Sequence, residues 1–210
     1  MWWLDSVLRA QFGKPSGIVG SLIIGPALNF ADMRMIDLAI ELLEPRPGDT
    51  FLDIGFGAGY SIGAIAGKLT RGRLLGVDYS MEMVRLTSAA VMRRPDKARV
   101  ALTCADVMHL PFAGSAANKV LAANNIYYWP DPVAGLREIA RVLKRRGRLA
   151  VGLRSPARLR PLTWSWNDFA LYEPQEVAGF LERAGFRVRA VFHRDRWLPL
   201  DSVVVVGERT

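Results

Sequence analysis

The chain has 210 residues, 50% of them hydrophobic and 23% charged, a balance that excludes a disordered or collagen-like protein. At this length folding buries roughly 70% of the unfolded chain's surface, so one core forms without disulfide or metal staples. One cysteine (Cys104) excludes an internal disulfide, two histidines are too few for most zinc or iron centres, and a net charge of +8 leaves nucleic acid, anionic membranes and acidic substrates open as partners.

Residues 1–44 read as an N-terminal apron ahead of a single domain over 45–210. The apolar stretch Ile18–Leu28 is broken by Gly20, Ser21, Gly25 and Pro26, short of the roughly 20 residues a membrane span needs. Asp5 stands where a signal peptide wants a cation, so the expected location is the cytoplasm. A helical pattern over Met35–Leu43 stops at Glu44-Pro45-Arg46-Pro47-Gly48.

Strands and helices then alternate. Strands are expected at Thr50–Ile54, Arg73–Val77, Arg99–Cys104, Lys119–Ala123 and Arg148–Leu153, with helices over Tyr60–Leu69, Ser80–Met92 and Val133–Leu143. Gly147 stops the last of these. A helix opening at Glu173-Pro174 closes at Gly185, and strands over Phe186–Phe192 and Ser202–Gly207 end the chain. Such alternation implies an α/β, doubly wound, mostly parallel sheet that binds ligands beyond the carboxyl ends of its strands.

The loops at those ends carry the chemistry. Gly55, Gly57 and Gly59 follow the first strand and let the backbone approach a ligand closely at a helix start. A dinucleotide G-x-G-x-x-G would need glycine at 60, where Tyr60 stands, and the Gly-Lys-Ser/Thr ending of a P-loop is absent. Asp78 lies 19 residues beyond Gly59, where a carboxylate pairs with ribose hydroxyls. Asp106 follows the third strand, where it suits an exocyclic amine. Each aspartate alone also suits a cap or turn; three loops of one edge carrying the set point to a nucleoside ligand.

The segments Phe51–Ser61, Leu75–Val84, Cys104–Phe112 and Leu136–Leu149 resemble, in order and spacing, the motifs of class I S-adenosylmethionine-dependent methyltransferases. The resemblance covers roughly residues 45–155. It implies a Rossmann-like seven-stranded sheet whose last strand is antiparallel, an N-terminal helical lid, and S-adenosylmethionine as cofactor. It places Asp53, Gly55, Gly57 and Gly59 around the methionine end, Asp78 with Tyr79 at the ribose, and Asp106 with Val107 at the adenine. One departure is visible: the turn before the fifth strand, usually Pro-Gly-Gly in this family, is Arg145-Arg146-Gly147.

The segment after the fourth strand lacks both prolines of the Asn/Asp-Pro-Pro-aromatic motif of the family's nucleobase and amide members. It is similar to a small-molecule-type subgroup with Asn-x-x-Tyr-x-Trp. Asn124 or Asn125 and Tyr127 or Tyr128 fit the start, and only Asn124, Tyr127 and Trp129 fit throughout. Asn124 is therefore expected beside the cofactor, and Tyr127, Tyr128 and Trp129 along the acceptor pocket, their ring faces suiting a sulfonium or cationic substrate. Lys14–Gly20 would form the lid and Thr163–Phe169 a modest cap.

His109 and His193 are candidate bases, but no catalytic residue is assigned and no metal is expected. Cys104 is expected to be buried and inert. The leading expectation is methyl transfer to a small-molecule acceptor by in-line displacement, by a monomer or homodimer without nucleic-acid partners. The alternatives are a lipid methyltransferase touching membranes through Met1-Trp2-Trp3-Leu4, and a non-catalytic S-adenosylmethionine-binding module.

Overall fold

The computed structural model describes residues 25–154, 156, 170–194 and 202–210. The Met1–Leu4 anchor, the Lys14–Gly20 lid segment and the Thr163–Phe169 cap lie outside them. Seven strands form one sheet: β1 Thr50–Ile54, β2 Arg73–Asp78, β3 Val100–Cys104, β4 Ala117–Ala123, β5 Leu143–Leu153, β6 Phe186–Arg194 and β7 Ser202–Arg209. Their order is β3-β2-β1-β4-β5-β7-β6. All neighbours pair parallel except β7, which runs antiparallel to both β5 and β6.

Helices α1 Gly25–Leu43, α2 Tyr60–Ala66 and α3 Met81–Val91 cover one face, and α4 Pro132–Val142 and α5 Pro174–Arg183 the other. The strand sequences dictate this, because successive side chains point to opposite faces. Val204 and Val206 of β7 join the core under α1–α3, while Val203 and Val205 join the core under α4 and α5. Phe51 and Leu52 of β1 divide in the same way. A strand buried on both faces reads as a continuous apolar run, as the four valines do.

Helix α1 begins ten residues before the pattern that signals it. Met35, Ile36, Ala39, Ile40 and Leu43 form its buried stripe, set against β4, β5 and β7. Met35–Leu43 of the 1–44 apron is thus a layer of the core.

One further boundary and one burial differ from expectation for physical reasons. β5 begins directly after α4, and its pairing with β4 breaks between Ala117–Leu143 and Lys119–Arg148. Four residues, 144–147, bulge there opposite one, with Arg146 in the left-handed region at φ 61°. The Arg145-Arg146-Gly147 departure therefore sits at the amino end of β5, away from the ligand edge. Cys104 is half-buried, not buried, because β3 is an edge strand; its thiol donates to the Tyr79 carbonyl at 3.4 Å.

Among the described residues, no helix is long and apolar enough to cross a membrane. Because the chain runs β1-β2-β3 outward and then returns to place β4 on the other side of β1, the strand order reverses between β1 and β4. That reversal opens a crevice at their carboxyl ends.

Candidate active site

The turn from β1 into α2 is built from three left-handed glycines, Gly55 at φ 68°, Gly57 at φ 53° and Gly59 at φ 90°. A Cβ on Gly55 would lie 2.5 Å from Asn125 Nδ2, and one on Gly59 would lie 2.6 Å from Thr87 Cγ2. Side chains are thus barred at both positions by conformation and by space. The loop is tied down from outside: the Gly57 N–H donates to Asp78 Oδ2 at 2.8 Å, and Thr87 Oγ1 donates to the Gly57 carbonyl at 2.9 Å.

Asp78 ends β2 and accepts a second bond, from the Ser80 N–H at 2.9 Å. Burial nevertheless holds its carboxyl above the usual range, outweighing both hydrogen bonds. Tyr79, next in the chain, is among the most exposed large hydrophobic side chains described. Asp106 closes its own turn, Oδ1 accepting from the Met108 N–H at 2.9 Å, and Val107 is buried beneath it in the core. The β3–β4 connection is clamped from α4. The Leu110 N–H donates to Glu138 Oε1 at 2.8 Å, and Arg141, paired with Glu138, donates to the Phe112 and Leu110 carbonyls.

After β4, Asn124 adopts the left-handed region at φ 56°, which asparagine tolerates better than other side chains, and its N–H donates to the Gly152 carbonyl. Asn125 points the other way, Nδ2 donating to the Ile54 carbonyl of β1. Asp53, 2% exposed near the end of β1, receives the Ser61 hydroxyl, while its Oδ2 has no partner. Burial, with Asp78 nearby, pushes its carboxyl up to about 7.

Asn125, Asp53, Asp78 and Asp106 therefore follow one another on or just after β4, β1, β2 and β3, neighbouring strands spaced about 4.8 Å apart. Three of the residues expected at the cofactor, Asp53, Asp78 and Asp106, stand in this row; the asparagine in it is Asn125, while Asn124 bonds through its N–H to β5. The aromatic trio is divided. Tyr128 is 40% exposed, whereas Tyr127 is 3% exposed with its hydroxyl bonded to the Arg154 backbone. Trp129 is buried against Gly135 of α4. His109 is exposed, and the side chain of His193 lies outside the described residues.

Ser61, Thr87 and the Glu138–Arg141 pair had no role in the sequence reading. The signal for the pair was its i,i+3 spacing, which sets both side chains on one helix face. Arg141→Ala is expected to lower stability by about 1 kcal/mol, since the guanidinium caps two carbonyls but is partly exposed. Thermal unfolding at two salt concentrations would check this, the ion-pair share shrinking with salt.

Comparison with known proteins agrees with this geometry. A methyltransferase-domain family model matches residues 52–151. An uncharacterized methyltransferase of Bacillus subtilis (strain 168), YdaC, is 31% identical over 130 residues, 62% of this chain and 70% of that one. The 27-O-demethylrifamycin SV methyltransferase of Amycolatopsis mediterranei (strain S699) is 32% identical over 125 residues, 60% of this chain and 46% of that one. YdaC apart, the chain spans about half the length of the curated relatives it matches.

A SAM-dependent methyltransferase from Aquifex aeolicus shares the fold with a TM-score of 0.71 at 20% identity, covering 86% of this chain and 93% of that one. The chain belongs to the class I S-adenosylmethionine-dependent methyltransferases.

The residues present fit that family's cofactor. Two buried acceptors without donors, Asp53 Oδ2 and Asn125 Oδ1, suit a cationic amino-acid end. Asp78 on the next strand suits ribose hydroxyls, and Asp106 beyond it suits the adenine amine.

Proposed function

We propose that this chain transfers a methyl group from S-adenosylmethionine to a small-molecule acceptor in the cytoplasm. The observation that supports it most directly is the row of acceptors from Asn125 to Asp106 along four adjacent strand ends, facing a loop that excludes Cβ atoms. When bound, S-adenosylmethionine supplies an electrophilic methyl group on a sulfonium. The chain's own contribution is to position its partners and keep water out.

In this reading Gly55, Gly57 and Gly59 admit the methionine end, Asp53 and Asn125 hold its ammonium, and Asp78, beside Tyr79, accepts the ribose hydroxyls. Asp106 accepts the adenine amine above Val107, and Asn124 fixes the end of β4 against β5. The acceptor lies beyond β4, where Tyr127, Tyr128 and Trp129 form one wall. Tyr128 presents its ring to it directly, while Tyr127 and Trp129 support that wall from the core. The rifamycin relative is named for a small-molecule acceptor, which favours that class over a macromolecule.

The test is titration with S-adenosylmethionine followed by transfer of a labelled methyl group to a panel of phenols, quinols and amines. Binding with label in any one product supports the proposal. Binding with no transfer to any acceptor would favour a non-catalytic module instead. Once an acceptor is found, Tyr128→Ala is expected to raise its KM about tenfold and leave cofactor affinity unchanged. An unchanged KM would remove Tyr128 from the wall.

A further inference from the structure

Asp53 and Asn125 carry the only two buried side-chain atoms among the described residues that lack a hydrogen-bond partner, Asp53 Oδ2 and Asn125 Oδ1. Both are acceptors, Asp53 on β1 and Asn125 two residues past the end of β4, the strand pair where the sheet order reverses. Asn125 is oriented by its other end: Nδ2 is used on the Ile54 carbonyl, so Oδ1 faces away from that bond with nothing donating to it. Two orphaned oxygens beside one glycine turn call for a ligand with several N–H donors, since an unmet buried acceptor costs about 1–3 kcal/mol.

An ionised Asp53 in that setting would be a buried charge without a counter-ion among the described residues. Its one side-chain donor is the Ser61 hydroxyl of α2; the charged group acting on it is Asp78 of β2, of like sign; its ladder neighbours Gly76 and Leu121 carry no charge. Carboxyls so placed keep their proton to a higher pH than exposed ones do.

We propose that Asp53 is the neutral acid in the ligand-free protein and releases its proton to solvent when a ligand's ammonium group enters between it and Asn125. This rests on the S-adenosylmethionine reading of the site and adds to it a proton count. The balance is one carboxylic acid plus one ammonium ion giving a carboxylate–ammonium pair and one free proton, with no covalent bond of the ligand changed.

The pH range follows from the burial that raises this carboxyl to about 7 from 3.8. Below pH 7 the proton must be expelled, so affinity rises up to tenfold per pH unit as pH climbs toward 7. Above that the dependence flattens. The ligand-free protein shows the reverse sign: the group's contribution to stability is complete below 3.8 and is lost as pH rises through about 7.

The experiment is calorimetric titration of the full chain in pairs of buffers with different ionisation enthalpies, at pH 6 and pH 8.5. The probes are S-adenosylhomocysteine, which keeps the ammonium but has no sulfonium, and 5′-methylthioadenosine, which keeps the ribose and adenine but has no ammonium. Nearly one proton released per S-adenosylhomocysteine at pH 6, almost none at pH 8.5, and none with 5′-methylthioadenosine is the expected result.

Binding of S-adenosylhomocysteine without proton release at pH 6 overturns the proposal and leaves the cofactor reading standing. Equal release with 5′-methylthioadenosine also overturns it, because the proton would then belong to a group facing the ribose, such as Asp78. Failure of both probes to bind removes the cofactor reading and this proposal with it. Asp53→Asn is expected to bind with no release at either pH, and Asn125→Ala to keep the release while binding about tenfold more weakly.

Discussion

Asp78→Ala is expected to weaken S-adenosylmethionine binding about a hundredfold, or roughly 2.7 kcal/mol. Two losses add up to this. Hydrogen bonds from ribose hydroxyls to a charged acceptor each contribute about 1.5–3 kcal/mol. The Gly57 N–H also loses its acceptor, and with it the tie that holds the middle of the glycine loop against β2.

Folding stability is expected to change little, because the same side chain is strained by its burial, which holds its carboxyl above the usual range. Removing it relieves that desolvation while freeing the Gly57 and Ser80 donors, one of them in a partly exposed loop. Asp78→Asn offers one amide oxygen where two carboxylate oxygens stood, so its affinity is expected to fall about tenfold. Calorimetric titration beside thermal unfolding checks the split. An affinity within threefold of the parent in Asp78→Ala, with Tm unchanged, would move the ribose away from β2.

The proposed cofactor half of the candidate site stands out in the chain because its requirements are written in residue types. Left-handed backbone at 55, 57 and 59 calls for glycine, and a nucleoside needs acceptors at the ends of β2 and β3, so Asp78 and Asp106 stand out in a single chain. The fold was legible for a related reason: burial on both faces forces unbroken apolar runs, and β7 shows one.

What stayed hidden depends on contacts between residues far apart in sequence. Asp53 gives no hint in the chain that one oxygen will lack a donor, since that follows from its burial with the Ser61 hydroxyl of α2 as its side-chain donor. The Met35–Leu43 pattern marked only half of α1, which runs from Gly25 to Leu43. The bulge at 144–147 was read as a turn before a strand, as its left-handed Arg146 would suggest, although the strand resumes on both sides of it. The aromatic trio shows the same limit: a ring lining a pocket and a ring filling a core have the same neighbours in sequence.

Tyr127 makes that last point measurable. Its ring is buried beneath the end of β4, and its hydroxyl meets the backbone of Arg154 just past β5, accepting from the N–H at 2.5 Å and donating to the carbonyl at 3.3 Å. One phenol therefore stands in for the next rung of a ladder at the point where the strands part. Tyr127→Phe keeps the ring and takes the hydroxyl away from that buried N–H and carbonyl.

At about 1–3 kcal/mol for each unmet group, and with the carbonyl bond already long, the expected loss of stability is about 2–3 kcal/mol. For a domain of this size that is a fall in Tm of roughly 4–12 °C. S-adenosylmethionine affinity is expected to hold, since the proposed partners Asp53, Asp78 and Asp106 lie on or after β1, β2 and β3, and Asn125 is held by its own bond to the Ile54 carbonyl. Thermal unfolding and cofactor titration on one preparation decide it. A Tm unchanged in Tyr127→Phe, with KM for the acceptor raised, would mean that the hydroxyl serves the acceptor and the Arg154 contact is incidental.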